Sequence, residues 1–121
     1  MALGIETIED TPGAGAPVER GKRYRVRLRL WLTKGESIAL VQPGAEASHQ
    51  LREADGASIT TIEMHRGRTI PGFFYGMEGM RVGGVRKIRI PPNLAYGERG
   101  IPGVVPANAV LIAQIEVIEP A

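Results

Sequence analysis

Between Arg23 and Leu32 the chain reads RYRVRLRLWL, so that Tyr24, Val26, Leu28, Leu30 and Leu32 alternate with Arg23, Arg25, Arg27 and Arg29. Successive side chains of a strand point to opposite faces, and this period of two therefore describes a strand with one face in a core and the other in water. With 121 residues there is room for one domain. A domain of this size hides roughly two-thirds of the surface its unfolded chain exposes, enough for one modest core.

Around that strand the other elements fall into place. Ile5-Glu6-Thr7-Ile8 suits a short edge strand, and Asp10 to Pro17 is a turn-rich connector, so residues 1–20 form an N-terminal strand and linker within the domain. Thr33-Lys34-Gly35-Glu36 reads as a hairpin turn into a short strand from Ser37 to Val41. Residues 42–58 have no period and carry Pro43, Gly44 and Gly56, which gives a long inserted loop with a helical turn expected around Glu46 to Glu53. A strand resumes from Ile59 to His65. Pro71 opens a short helix with Phe73, Met77 and Met80 on one side. Gly83-Gly84 leads into a strand from Val85 to Ile90, a Gly/Pro-rich loop runs from Asn93 to Asn108, and the last strand spans Val110 to Ile118. The expected fold is α+β, an antiparallel sheet of about five strands wrapped around one short helix.

Several chemistries have no foothold in these residues. There are no cysteines, and His49 and His65 stand far apart, so neither a disulfide nor a metal site is expected. No G-x-S-x-G elbow or phosphate loop is present. No apolar run approaches the roughly 20 residues that span a bilayer. The N-terminal MALGIETIEDTPG shows no basic leader followed by an apolar stretch, and the expected location is the cytoplasm. A net charge of +2 is small for a nucleic-acid binder. Arg23, Arg25, Arg27, Arg29, Arg86 and Arg89 could share one outer sheet face, which offers a polyanion-binding alternative. The plainer expectation is a solvated face paired with Glu116 and other acids, since Trp31 is the one aromatic side chain near it; nucleic acid is not the expected partner.

Thr69-Ile70-Pro71-Gly72-Phe73, then Gly79-Met80-Arg81-Val82-Gly83-Gly84, then Ile90-Pro91-Pro92-Asn93-Leu94-Ala95-Tyr96-Gly97, then the stretch from Gly100-Ile101-Pro102 to Val105-Pro106 and Ala109 closely resemble the FKBP family of prolyl isomerases. The resemblance is strong over about residues 68 to 119 and loose over 5 to 40. It implies an FKBP-like single domain over 1–121, without a cofactor, that rotates X-Pro bonds of peptides or unfolded proteins and assists folding as a monomer. It puts the pocket floor at Phe73, a place more often held by tryptophan, a substrate-facing backbone N–H at Ile70, and a hydroxyl donor at Tyr96. Thr69, Ile101 and Val105 fall on positions that line the substrate.

The first hairpin departs from the family pattern. Leu28 stands where a tyrosine is usual, Ile38 where a phenylalanine is usual, Ala39 where an aspartate is usual and Ala113 where another phenylalanine is usual. In agreement with an aromatic content of only 5%, this implies a wider and less polar pocket, weaker macrolide binding and reduced activity. A catalytically silent module binding a proline-containing partner is the alternative from a different class.

Overall fold

The computed structural model describes residues 4–33, 37–38, 51–52, 57–102 and 105–121. Ala39 and most of the 42–58 insertion lie outside them. The described residues form an antiparallel sheet from five strands of six to ten residues and two of two residues: β1 (Glu6–Thr11), β2 (Arg23–Leu32), β3 (Ser37–Ile38), β4 (Leu51–Arg52), β5 (Ser58–Glu63), β6 (Val85–Ile90) and β7 (Leu111–Pro120). Their order is β1-β6-β7-β2-β5-β4, with β3 also paired to β2. The expected α+β architecture is present, and one helix, α1 (Pro71–Gly76), accompanies the sheet.

The alternation in β2 does what its period requires. Tyr24, Val26, Leu28 and Leu30 are buried, while Arg23 and Arg25 are exposed and Arg27 and Arg29 half-buried. Opposite β2, Val117, Ile115 and Ala113 of β7 pair with Val26, Leu28 and Leu30, and on the other flank Thr60 and Ser58 of β5 pair with Val26 and Leu28. The inner face of the sheet is thus a continuous apolar floor under α1. Two glycines set how closely the helix lies on it. A Cβ at Gly72 would come within 2.5 Å of Ile90 Cγ2, and one at Gly76 within 2.4 Å of Ile88 Cδ1, so any larger residue would push α1 off β6.

Three local readings change. Leu51–Arg52 is extended and pairs with Ile59 and Ser58, where the helical turn was expected; an open sheet edge offers it backbone partners that an isolated turn lacks. The helix stops at Gly76, with Met77 as its C-cap, because the chain turns through Gly79 at φ 83°. Met77 and Met80 remain buried although neither is helical. Arg86 does not join the outer stripe. It faces inward, 7% exposed, and its Nη1 donates to the carbonyls of Gly76 at 2.9 Å and Glu78 at 2.6 Å while Nε donates to Asp10 at 3.2 Å. The end of α1 has backbone carbonyls without helical partners, and a cation with several donors satisfies them.

Candidate functional site

The site is assembled where α1, the inner sheet face and the loop after β6 converge. Ile70 caps the helix in an extended conformation, φ −64° and ψ 146°, as the following Pro71 requires. Its carbonyl accepts hydrogen bonds from Phe73 and Phe74 at 3.0 and 3.3 Å, whereas its N–H has no acceptor among the described residues. Phe73 points into the core with no solvent exposure. One apolar cluster contains Ile70, Phe73, Leu28, Leu30, Val105 and Ala113, and the half-buried Tyr96 and Ile101 pack against it. Leu30, expected from the strand's period only as a core residue, belongs to the same cluster. It pairs with Ala113 on one side and Ile38 on the other, so register places it between two expected wall positions.

Pro91-Pro92 converts β6 into a single 3-10 turn, Pro92–Leu94, which Leu94 N–H closes onto the Pro91 carbonyl at 3.0 Å. That turn delivers Tyr96. The loop beyond it is held at both ends: Gly100 N–H donates to Tyr96 O at 3.1 Å, Asn108 N–H donates to Gly97 O at 2.9 Å, and Ile101 and Val105 exchange N–H to carbonyl bonds of 2.9 and 2.8 Å. Gly100 adopts φ 58°, and a Cβ there would sit 2.2 Å from Val105 O, so the rim closes only around a glycine.

Tyr96 brings a hydroxyl to this apolar group. Among the described residues that hydroxyl is buried without a hydrogen-bond partner, as is Thr60 Oγ1 on the sheet, and burial pushes the Tyr96 pKa up to about 12, so it stays a protonated donor. Thr69 is also buried and bridges to Arg66 across a tight turn. Leu28 lies deeper, opposite Ser58 and Ile115. Ile38 pairs through its backbone with Leu30. No group of three or more His, Cys, Asp or Glu that could hold a metal occurs among the described residues.

Among the described residues the arrangement provides an apolar enclosure, one backbone N–H without an acceptor and one phenolic O–H without a partner. Residues 16–118 match the family described as FKBP-type peptidyl-prolyl cis-trans isomerase. The chain belongs to that family. It is 33% identical over 118 residues to an FK506-binding protein of Neisseria meningitidis, with 97% of each chain covered. It is 36% identical over 124 residues to FK506-binding protein 4 of Chaetomium thermophilum, covering 98% of this chain but 23% of that one. Against the peptidyl-prolyl cis-trans isomerase FPR2 of Saccharomyces cerevisiae it is 49% identical over 62 residues, and the match covers 46% of that relative. The chain thus spans less than half the length of several curated relatives.

Solved structures agree on the fold. A peptidyl-prolyl cis-trans isomerase from Pseudomonas syringae superposes with a TM-score of 0.71 at 20% identity over 97% of this chain and 74% of its own. FkpA from Escherichia coli gives 0.69 at 25% identity over 96% of this chain and 46% of its own. The enzymatic class expected from the motifs is therefore the class of the family.

Phe73 and Ala113 have no solvent exposure, and Ile70, Leu28 and Val105 almost none. Tyr96 and Ile101 are the partly exposed members of the group. Ala39, another expected wall position, lies outside the described residues.

The arginine face resolves into ion pairs. Arg27 binds Glu116 at 3.0 Å, Arg23 lies 3.4 Å from Glu63, and Arg25 lies 4.0 Å from Glu119. Trp31 is flanked by Arg29 and Lys87 at 5.9 and 5.0 Å from its ring. Glu6 and Glu9 of β1 stand opposite Arg89 and Lys87, which breaks the positive stripe with acids. No helix among the described residues is long and apolar enough to cross a membrane.

Proposed function

We propose that this domain catalyses cis/trans rotation of X-Pro bonds in peptides and unfolded proteins, with Tyr96 and Ile70 as donors and Phe73 as the apolar floor. The observation that carries it is the Tyr96 hydroxyl, buried and without a partner beside an apolar cluster. A buried donor left unpaired costs roughly 1–3 kcal/mol, which is recovered when a substrate carbonyl accepts from it.

The barrier to rotation is about 18–20 kcal/mol because the planar amide is conjugated. Twisting removes the conjugation and makes the amide less polar. Transfer from water into an apolar enclosure therefore penalises the planar ground state more than the twisted state, which is differential stabilisation of the transition state. Tyr96 O–H and Ile70 N–H fix the flanking peptide so that rotation occurs about one bond. Lowering the barrier by about 4 kcal/mol corresponds to nearly a thousandfold. Substrates with a bulky apolar residue before proline suit a cluster that includes Ile101 and Val105. Leu28, Ile38, Ala39, Thr69 and Ala113 complete the proposed lining. Small side chains at Leu28, Ala39 and Ala113 offer little stacking area, and macrolides are expected to bind weakly. The proposed form is a monomer that assists folding in the cytoplasm, a reducing compartment that a cysteine-free chain fits.

The test is exchange NMR on a Leu-Pro peptide. Substoichiometric protein should broaden and merge the cis and trans signals; unchanged exchange at stoichiometric protein, with peptide shifts showing that it binds, would make the domain a binding module instead.

A further inference from the structure

A further cleft opens beside the site, sharing only Thr69 with the lining proposed above. It has a volume of about 190 Å³ and is lined by Arg66, Gly67, Thr69, Pro71, Phe74 and Tyr75. Drug-sized ligands occupy pockets of about 300–1,000 Å³, so this one suits a single side chain with some water. Its walls have opposite characters. Pro71 and the rings of Phe74 and Tyr75 are apolar, and those two rings meet edge to face at 5.0 Å. Across them stands a guanidinium: Arg66 lies 5.7 Å from the centre of the Tyr75 ring.

Arg66 is held there by the turn before α1. Arg68 N–H donates to His65 O at 3.1 Å, Gly67 takes φ 83°, and Arg66 bridges to Thr69. The side chain itself is exposed, and neither Arg66 nor Arg68 forms an ion pair among the described residues. Two acids of the neighbouring segments pair with other cations, Glu78 with Arg20 and Glu63 with Arg23. The cleft therefore presents a planar cation above an aromatic wall with no counter-ion among the described residues. Such a fork matches the two oxygens of a carboxylate. Continuity with the proposed isomerase site is direct, because Thr69 and Pro71 of this cleft flank Ile70, whose N–H has no acceptor among the described residues.

We infer that this cleft is a specificity subsite that takes an acidic side chain of the same substrate, outside the X-Pro pair. Arg66 supplies the charge, and Pro71 and the Phe74 and Tyr75 rings receive the aliphatic stem of a glutamate. The inference rests on the proposed prolyl-peptide function and names its preferred substrate class: acidic segments around proline.

Matched Leu-Pro peptides carrying Glu, Gln or Lys one or two residues to either side test it by exchange NMR, with dissociation constants measured on the same samples. At low salt the Glu peptide should be favoured over Gln by about 2- to 5-fold at one of these positions, as an exposed ion pair supports, and the preference should fade with added salt. Arg66→Gln should abolish it while leaving the Gln peptide unchanged. Arg68→Gln, which removes a neighbouring charge without touching the ring, should leave most of it, and Arg89→Gln on the opposite sheet face should leave all of it. Equal handling of Glu and Gln peptides at every position, or a preference that survives Arg66→Gln, overturns the subsite. If no peptide is turned over faster, the isomerase reading falls, and the dissociation constants alone decide the subsite by the same comparison.

Discussion

Removing the Arg86 guanidinium should destabilise the domain far more than removing its acidic partner. The side chain is 9% exposed, and it spends one nitrogen on two backbone carbonyls at the end of α1 and the others on Asp10 at 3.2 and 3.4 Å. The Asp10 carboxylate is 39% exposed, so that arm behaves as a partly solvated ion pair worth at most about 1 kcal/mol. The carbonyl arm is buried and charge-assisted. Hydrogen bonds to charged groups contribute roughly 1.5–3 kcal/mol, and loss of the helix-end cation is part of the same quantity rather than an addition to it. With the lost packing of the aliphatic stem, Arg86→Ala should cost about 3–4 kcal/mol, and Asp10→Ala about 1 or less. Urea unfolding with an unchanged slope measures both. Because Phe73 lies one turn before Gly76 on the same helix, Arg86→Ala should also slow prolyl exchange under conditions where the protein is still folded. Equal losses for the two variants would show that the ion pair, not the helix-end carbonyls, holds the arginine. A loss under about 1 kcal/mol for Arg86→Ala would show that water replaces it, and either outcome refutes the argument.

Tyr96→Phe should lower exchange activity without lowering the melting temperature at neutral pH, and should raise that temperature to the extent that the unpaired hydroxyl carries a desolvation cost in the free protein; unaltered activity would remove Tyr96 from the site. The same variant has an alkaline signature: an unfolded tyrosine ionises near 10 and this one near 12, so unfolding releases a proton between those values and stability falls as pH rises through that window. Urea titrations at both ends should show a steeper alkaline loss for the parent than for Tyr96→Phe, and parallel losses would contradict the buried hydroxyl. Phe73→Ala should cost about 3–5 kcal/mol as well as activity, because the ring is fully buried; a loss below about 1 kcal/mol would mean the floor is not packed as described. Gly100→Ala, which would put a Cβ 2.2 Å from Val105 O at φ 58°, should distort the rim and reduce exchange more than it reduces stability; normal exchange would uncouple the rim from the site.

What could be read in the sequence depended on whether parity and charge agreed. In β2 they do, every arginine falling on the solvent side, and the strand and its buried face are plain. In β6 they conflict. Ile88 and Ile90 face inward, and the period of two carries Arg86 to the same face, yet its charge argued for the outer stripe. Only the end of α1, folded above it, supplies the carbonyls that make a buried arginine tolerable, and that meeting of β1, β6 and α1 is invisible along the chain. β1 was legible only as a short edge strand from Ile5 to Ile8; all six residues of Glu6–Thr11 are exposed, so no apolar period marks its continuation to Thr11, which exists because β6 offers an open edge.

The candidate site was legible for a different reason. Its loop residues recur as motifs, since Gly100, Pro91-Pro92 and Tyr96 are each demanded by a turn or a delivered hydroxyl that few other residues provide. Whether the floor stands open was not legible. A cleft is a deficit of packing, and rigid aromatic walls can maintain one where flexible aliphatic walls collapse into it. Leu28 and Ala113 were recognisable as small residues in places where the family keeps large ones, and that pointed to a wider cleft. Both lie buried in the cluster that holds Phe73, and they meet there only because β7 pairs with β2. Walls drawn from opposite ends of the chain leave no period along it from which the width between them could be read.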